Sequence, residues 1–261
     1  MEREEVLRNF YTTDCNEEER FDTNHGRVEY LTTLKYINNL LKANDKILEI
    51  GAGTGRYSIY YAKKGYDVTA IEYLNENLNV LKSKITDNMN IKAEQGDAID
   101  LSRFSDNTFD ITLLLGPLYH LFTKEDIDKA ISESIRVTKQ NGIIAMAYLT
   151  DDSIMVDYVI KKHHLLDTEN KAFDDEYRIV VEQKEIFRSF RVDDFKNMMD
   201  KYNVEFIKQI ATDGISHHIK EEIDSLSEEE FNVFLDYHLT NCERNDLIGY
   251  SNHILYFCKK K

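Results

Sequence analysis

The chain is short of features that mark a special environment. Among its 261 residues there is one proline, Pro117, and no Ser/Gly-rich linker, low-complexity tract or internal repeat, so nothing advertises a domain boundary. Its three cysteines, Cys15, Cys242 and Cys258, lie far apart with no C-x-x-C pair. Such an odd, scattered set suits a reducing compartment better than a disulfide framework, and it is too dispersed for structural zinc. No apolar run approaches the ~20 residues of a membrane-spanning helix. The acidic start, Met1-Glu2-Arg3-Glu4-Glu5, lacks the basic region and apolar stretch of a secretory signal. A cytoplasmic protein with no membrane partner is therefore expected. Basic residues are also scarce, 33 against 48 acidic, for a net charge of −15. That balance disfavours a nucleic-acid partner and fits a neutral or cationic small molecule, although acidity also serves solubility alone.

A regular alternation is present in the first half. Residues 26–42 place Val28, Leu31, Leu34, Ile37, Leu40 and Leu41 at helical spacing. Lys46 to Ile50 reads as a short buried strand, followed by a glycine-rich turn at 51–55 and a helix from Arg56 to Lys64, ended by Gly65. Strands are predicted at 67–72, 90–95, 109–115 and 143–149, with helices at about 75–84 and 124–138 and a turn at Asn141-Gly142. Strands alternating with helices imply βαβ units and a parallel sheet, and ITLLL and IIAMA are apolar enough to be covered on both faces. Beyond Thr150 the rhythm is lost: residues 151–190 are rich in charge and aromatics and read as a substrate cover. A helix at 191–202, a strand at 204–211, a helix at 227–242 and a last strand at 252–258 follow.

The informative segment is Ile47-Leu48-Glu49-Ile50-Gly51-Ala52-Gly53-Thr54-Gly55-Arg56, a strand, a turn and a helix start. Glycines let the chain turn tightly and let a ligand approach the backbone, and the N–H groups of the helix start favour an anionic group. Dinucleotide enzymes use G-x-G-x-x-G with an acidic residue about 20 positions on. Here the spacing is G-x-G-x-G, with Arg56 sixth, Glu49 before the turn and Glu72 at the end of the second strand. In either cofactor class a carboxylate at Glu72 can accept two ribose hydroxyls.

With ILEIGAGTG, AIEY, QGDAIDL and FDITLLLGPLYHL in place, the sequence resembles the class I S-adenosylmethionine-dependent methyltransferases, well over residues 26–150 and only by strand order beyond. The resemblance implies an α/β fold: a doubly wound, seven-stranded, mostly parallel sheet with an antiparallel last strand, a Rossmann-like methyltransferase fold with an inserted substrate-covering region. One domain over 1–261 is expected, with cap helices at 1–44, a cofactor-binding core at 45–150, the cover at 151–190 and completion of the sheet at 191–261. It implies S-adenosylmethionine as cofactor. Gly51, Ala52, Gly53 and Gly55 would wrap its methionine and ribose portions, and Glu49 would organise the turn or meet its amino group. Glu72 would hold the ribose hydroxyls, Tyr73 would lie against adenine, Asp97 would bond the adenine amine and Ala98 would offer backbone contacts. Leu115 and Gly116 would line the methionine end. Gln140-Asn141-Gly142 departs from the family's usual Pro-Gly-Gly, far from the cofactor.

Tyr119 and His120 follow the fourth strand, where ligands of open α/β sheets bind, and are the catalytic candidates: His120 as a base, Tyr119 as a wall of the transfer channel. Tyr11 and Arg27, from an N-terminal segment folding over the cofactor, are candidates to meet the methionine carboxylate, with a surface ion pair to Glu29 or Glu4 the equal alternative for Arg27. Aromatics of the cover, Tyr148, Tyr158, Phe173, Tyr177 and Phe187, could line a pocket for a cationic or planar acceptor. The pairs His163-His164 and His217-His218 do not share a helix face, and no metal is expected. The absence of a D/N-P-P-Y/F tetrapeptide and of a cysteine after the fourth strand argues against amino-group and pyrimidine-carbon methylation of nucleic acids. The expected reaction is in-line methyl transfer to oxygen, nitrogen or sulfur of a small-molecule substrate. A protein or RNA methyltransferase, an NAD-dependent oxidoreductase and a non-catalytic cofactor binder are the alternatives, and oligomeric state is not set by the sequence. Gly53→Val is predicted to abolish S-adenosylhomocysteine binding in a calorimetric titration, because a side chain would occupy the ligand's space; near-normal affinity would contradict the placement.

Overall fold

The computed structural model describes residues 3–14, 17–167, 171–180 and 187–261. Cys15 and parts of the expected cover, 168–170 and 181–186, lie outside the described residues. The chain begins with α1 (Arg3–Asn9) and a wide turn (Phe10–Asp14), then α2 (Asn24–Asn38), whose first N–H groups are capped by the Thr23 side chain accepting from Gly26. Next come β1 (Lys46–Ile50), α3 (Arg56–Lys63), β2 (Asp67–Glu72), α4 (Asn75–Ser83), β3 (Ile91–Gln95), β4 (Phe109–Leu114), α5 (Lys124–Val137) and β5 (Thr138–Thr150). The second half carries α6 (Asp151–Ile154), β6 (Ser189–Phe190), α7 (Val192–Met199), β7 (Val204–Ala211), α8 (Lys220–Asp224), α9 (Glu228–Asn241) and β8 (His253–Lys260). A full capping box between Ser227 and Glu230 fixes the start of α9.

The strands form one sheet in the order β3-β2-β1-β4-β5-β8-β7, with β6 paired beside the end of β5. All pairings on the β3-to-β5 side are parallel; β8 runs antiparallel between β5 and β7. Eight strands therefore stand where seven were expected, the extra one being the two-residue β6. β5 also starts five residues early, at Thr138 rather than Ile143. The Asn141-Gly142 pair is absorbed as an irregularity inside it: Asn141 takes φ 62° and the register against β4 shifts between Phe109 and Ile111. Ile47, Leu48, Ile50, Leu113, Ile144 and Ala145 are fully or almost fully buried, as expected of parallel strands covered on both faces.

The strand order reverses between β1 and β4, and the crevice beyond their carboxyl ends is where an open α/β sheet binds ligands. Two glycines hold that crevice's floor in shape. A Cβ on Gly51 (φ 73°) would stand 2.7 Å from Pro117 Cγ, so the lone proline packs directly on the turn. A Cβ on Gly55 (φ 89°) would stand 2.0 Å from Leu81 Cδ1 of α4. Gly55→Ala should therefore combine a left-handed backbone penalty with overpacking and destabilise the fold by about 1–3 kcal/mol in urea unfolding. An unchanged midpoint would show that α4 moves freely away.

Candidate functional site

Beyond β1 and β4 lies a cleft lined by Gly51, Ala52, Gly53, Glu72, Tyr73, Asp97, Ala98, Leu115, Gly116, Tyr119, His120 and Tyr11, together with Glu49. All are residues singled out from the sequence. Two others are not there. Gly55 faces Leu81 and does not line the cleft; its absent side chain serves helix packing. Arg27 is turned away, donating to Glu228 at 2.6 and 2.8 Å and to Asn24 at 2.8 Å, with its guanidinium over the Phe231 ring. That is a helix-to-helix ion pair, although its partner is Glu228 rather than Glu29 or Glu4.

The order of the cleft depends on Glu72. It ends β2 and is almost fully buried, yet no cation pairs with it among the described residues. One carboxylate oxygen accepts the Gly53 N–H at 2.8 Å and the other accepts the Leu74 N–H at 2.9 Å. Burial raises its pKa, while those two N–H groups and Asn77 act to lower it. Each oxygen keeps a further lone pair, so the group is aimed and still able to accept two hydroxyls. Glu49, one strand over, is buried and accepts from Ser58 Oγ. Burial, with the nearby Glu72 charge, pushes its carboxyl up to about 8.

The N-terminal segment fills this cleft. The guanidinium of Arg3 lies 4.5 Å from the centre of the Tyr73 ring and bonds the Asp97 carboxylate. A planar, N–H-bearing group thus occupies the two contacts that the resemblance gives to adenine. Glu17 sits over Gly53, its Cγ 3.6 Å from where a Cβ would be. The Tyr11 hydroxyl is 2.7 Å from His120 Nε2. Free space in the cleft is consequently about 110 Å³, against about 790 Å³ in an adjoining chamber. With Glu49 protonated, the carboxyls of Glu17, Glu29, Glu72 and Asp97 still outnumber the guanidiniums of Arg3, Arg20 and Arg56 in the cleft lining, a set suited to a cationic ligand.

The chamber is walled by Phe10, Tyr158, Phe187, Asp157, Lys161 and His217, among others, and shares Tyr11, Tyr119 and His253 with the cleft. Of the aromatics expected around an acceptor, Tyr158 and Phe187 are in place. Tyr148 is instead fully buried and stacked 4.0 Å from Phe195, while Phe173 and Tyr177 stack on one another outside. The Tyr119 hydroxyl donates to the Leu115 carbonyl at 3.1 Å, and burial pushes it up to about 12. Asp157 gathers Lys161, His217 and His218; burial opposes its ionisation, but these partners hold its pKa well below the carboxylate range.

Four residues of the site escaped the sequence reading: Arg20, Glu29, Asp213 and His253. The last three hold ligating atoms within 4.8 Å of one another, as metal ligands can. Here Arg20 supplies the positive charge, bonding Glu29 at 2.7 and 2.9 Å and lying 3.4 Å from His253 Nε2. A topological signal existed, because an antiparallel strand starts at the edge where its parallel neighbours end. Among the described residues, no helix is long and apolar enough to cross a membrane.

Because Glu49 keeps its proton up to about pH 8 while an unfolded glutamate loses it near ~4.3, the folded state binds the extra proton between those values. Stability from this group therefore falls as pH rises through that window. Glu49→Gln should flatten that part of the pH–stability curve in urea titrations at pH 5 and 8; an unaltered curve would show that Glu49 is ionised throughout.

Residues 47–142 match a family model described as a methyltransferase domain. Over 107 residues the chain is 36% identical to a demethylmenaquinone methyltransferase of Paenarthrobacter aurescens, covering 41% of this chain and 40% of that protein. Over 120 residues it is 27% identical to a glycine/sarcosine N-methyltransferase of Aphanothece halophytica, covering 45% of each. The chain spans about half the length, or less, of the curated relatives it matches. A solved SAM-dependent methyltransferase from Thermotoga maritima superposes with a TM-score of 0.61 at 18% identity, over 98% of this chain and 99% of that one, a likeness of fold.

Proposed function

We propose that this chain, whose residues 47–142 match a methyltransferase-domain model and whose fold is like that of a solved SAM-dependent methyltransferase, transfers a methyl group from S-adenosylmethionine to a small-molecule acceptor at oxygen, nitrogen or sulfur. The observation that carries this reading is the buried Glu72 carboxylate, with no cation paired to it among the described residues, clamped by the Gly53 and Leu74 N–H groups and lining the cleft. Its remaining lone pairs suit the two ribose hydroxyls of the cofactor, and the acidic lining suits a sulfonium. When bound, S-adenosylmethionine supplies an already activated methyl group, so the protein's work is positioning and exclusion of water.

Tyr73, Asp97 and Ala98 would hold the adenine, on the surface that Arg3 now covers. Gly51, Ala52 and Gly53 would present backbone to the ribose and methionine, Glu49 would organise the turn or meet the amino group, and Leu115 and Gly116 would line the methionine end. Tyr119 separates the cleft from the chamber as a channel wall, and Tyr11 with His120 closes the same border. A chamber of about 790 Å³ is of the size that encloses a small organic molecule. Relatives named for a demethylmenaquinone and for glycine and sarcosine support an acceptor of that size, and the net charge of −15 disfavours RNA.

Glu72→Ala should weaken S-adenosylhomocysteine binding by about 1–3 kcal/mol, the scale of lost charge-assisted hydrogen bonds. With S-adenosylmethionine labelled in its methyl group and whole-cell extract as acceptor, label should appear in the small-molecule filtrate. Label confined to retained protein or RNA would overturn the small-molecule reading.

A further inference from the structure

β8 begins at His253, and because it runs antiparallel to β5 (Leu149 opposite His253) its first residue lies at the carboxyl edge of the parallel strands. β7 runs antiparallel to β8 and delivers Asp213 to the same edge, two residues past its end. His253 lines both the cofactor cleft and the acceptor chamber, whereas His120 lines the cleft alone. Resting on the methyl-transfer reading above, we propose that His253, held by Asp213, is the base that takes the acceptor's proton, and that the acceptor is one whose nucleophilic atom still carries a proton, a hydroxyl or an N–H.

The hydrogen bonds fix which ring nitrogen can act. Asp213 is buried, and its Oδ1 accepts from Ser251 Oγ, from Asn252 N at 2.8 Å and from His253 N at 3.1 Å. Its Oδ2 faces His253 Nδ1 at 2.9 Å, with Glu29 Oε2 3.6 Å from the same nitrogen. Two carboxylates at Nδ1, Asp213 the nearer, outweigh the single Asn252 amide N–H that reaches the same nitrogen at 3.1 Å, and favour the hydrogen on Nδ1. Nε2 faces the Arg20 guanidinium, a group that only donates, and so presents its lone pair. The Arg20 contact is long at 3.4 Å, and Arg20 is held by Glu29, while His253 itself lines both cavities.

In the step this permits, the acceptor's O–H or N–H proton passes to Nε2. The pair left on the acceptor forms its bond to the methyl carbon as the carbon–sulfur pair returns to sulfur. Asp213 stabilises the imidazolium and does not itself take the proton. It is a positioning residue.

Asp213→Asn tests that role specifically. With Oδ1 committed to three donors, the new amide NH₂ must occupy the Oδ2 position and point at Nδ1. That would drive the hydrogen of His253 from Nδ1 to Nε2. Long-range ¹H–¹⁵N spectra of the histidines in the full chain, with and without S-adenosylhomocysteine, read this directly. Protonated Nδ1 and bare Nε2 are expected in the wild type at neutral pH, and the reverse in Asp213→Asn. Methyl incorporation into the small-molecule filtrate should fall at least about 100-fold in His253→Gln and in Asp213→Asn. Calorimetric S-adenosylhomocysteine affinity of Asp213→Asn, at a residue outside the cleft lining, should stay near the wild-type value, and cooperative urea unfolding checks that both variants fold. A wild-type His253 protonated on Nε2, or full incorporation by His253→Gln, overturns the proposal. Failure of the wild type to bind S-adenosylhomocysteine would instead sink the methyl-transfer reading, and the tautomer remains readable without ligand.

Discussion

The site depends on a carboxylate that has been taken out of water with no cation paired to it among the described residues. Glu72 is held by two backbone N–H groups, one from the turn after β1 and one from the start of the chain into α4. Hydrogen bonds of that kind keep a buried carboxylate usable as an acceptor while setting its direction. They also tie β2 to the β1 turn, so the same contacts that make the crevice rigid fix the carboxylate in its lining. Gly51 against Pro117 and Gly55 against Leu81 serve that rigidity from the other side.

A second constraint is the N-terminal segment. Arg3 lies on Tyr73 and Asp97, Glu17 on Gly53, and Arg20 on Glu29 and His253. Asp97 and Glu29 are thus paired from within the chain. Both ion pairs are partly exposed to solvent, so a ligand that offers equivalent partners can replace them at modest cost. Replacement of Arg3 by a stacked, N–H-bearing ring is the most direct such exchange.

The legible part of the sequence was the part governed by local rules. Apolar strands, glycine turns and helix periods placed β1 to β4 within a residue or so of their positions, and the residues after each strand end fell on the cleft. What Gly55 and Arg27 face is decided by packing partners far away in sequence, Leu81 and Glu228, which no local pattern reports. Tyr148, a candidate pocket aromatic by sequence, sits in the last stretch of a strand buried on both faces, stacked on Phe195. Asp213 and His253 have no motif at all. They are 40 residues apart and meet only because β7 and β8 pair antiparallel at the ligand edge. Sequence periodicity reports burial, not which strand neighbours which, and that pairing is what brings them together.

On the methyl-transfer reading, the crevice with Glu72 at its rim holds S-adenosylmethionine. Calorimetric titration of the whole chain with S-adenosylhomocysteine, with NAD in parallel, decides this. Saturable one-to-one binding of S-adenosylhomocysteine and no heat with NAD is the predicted result. Binding of NAD alone, or of neither by folded protein, would contradict it.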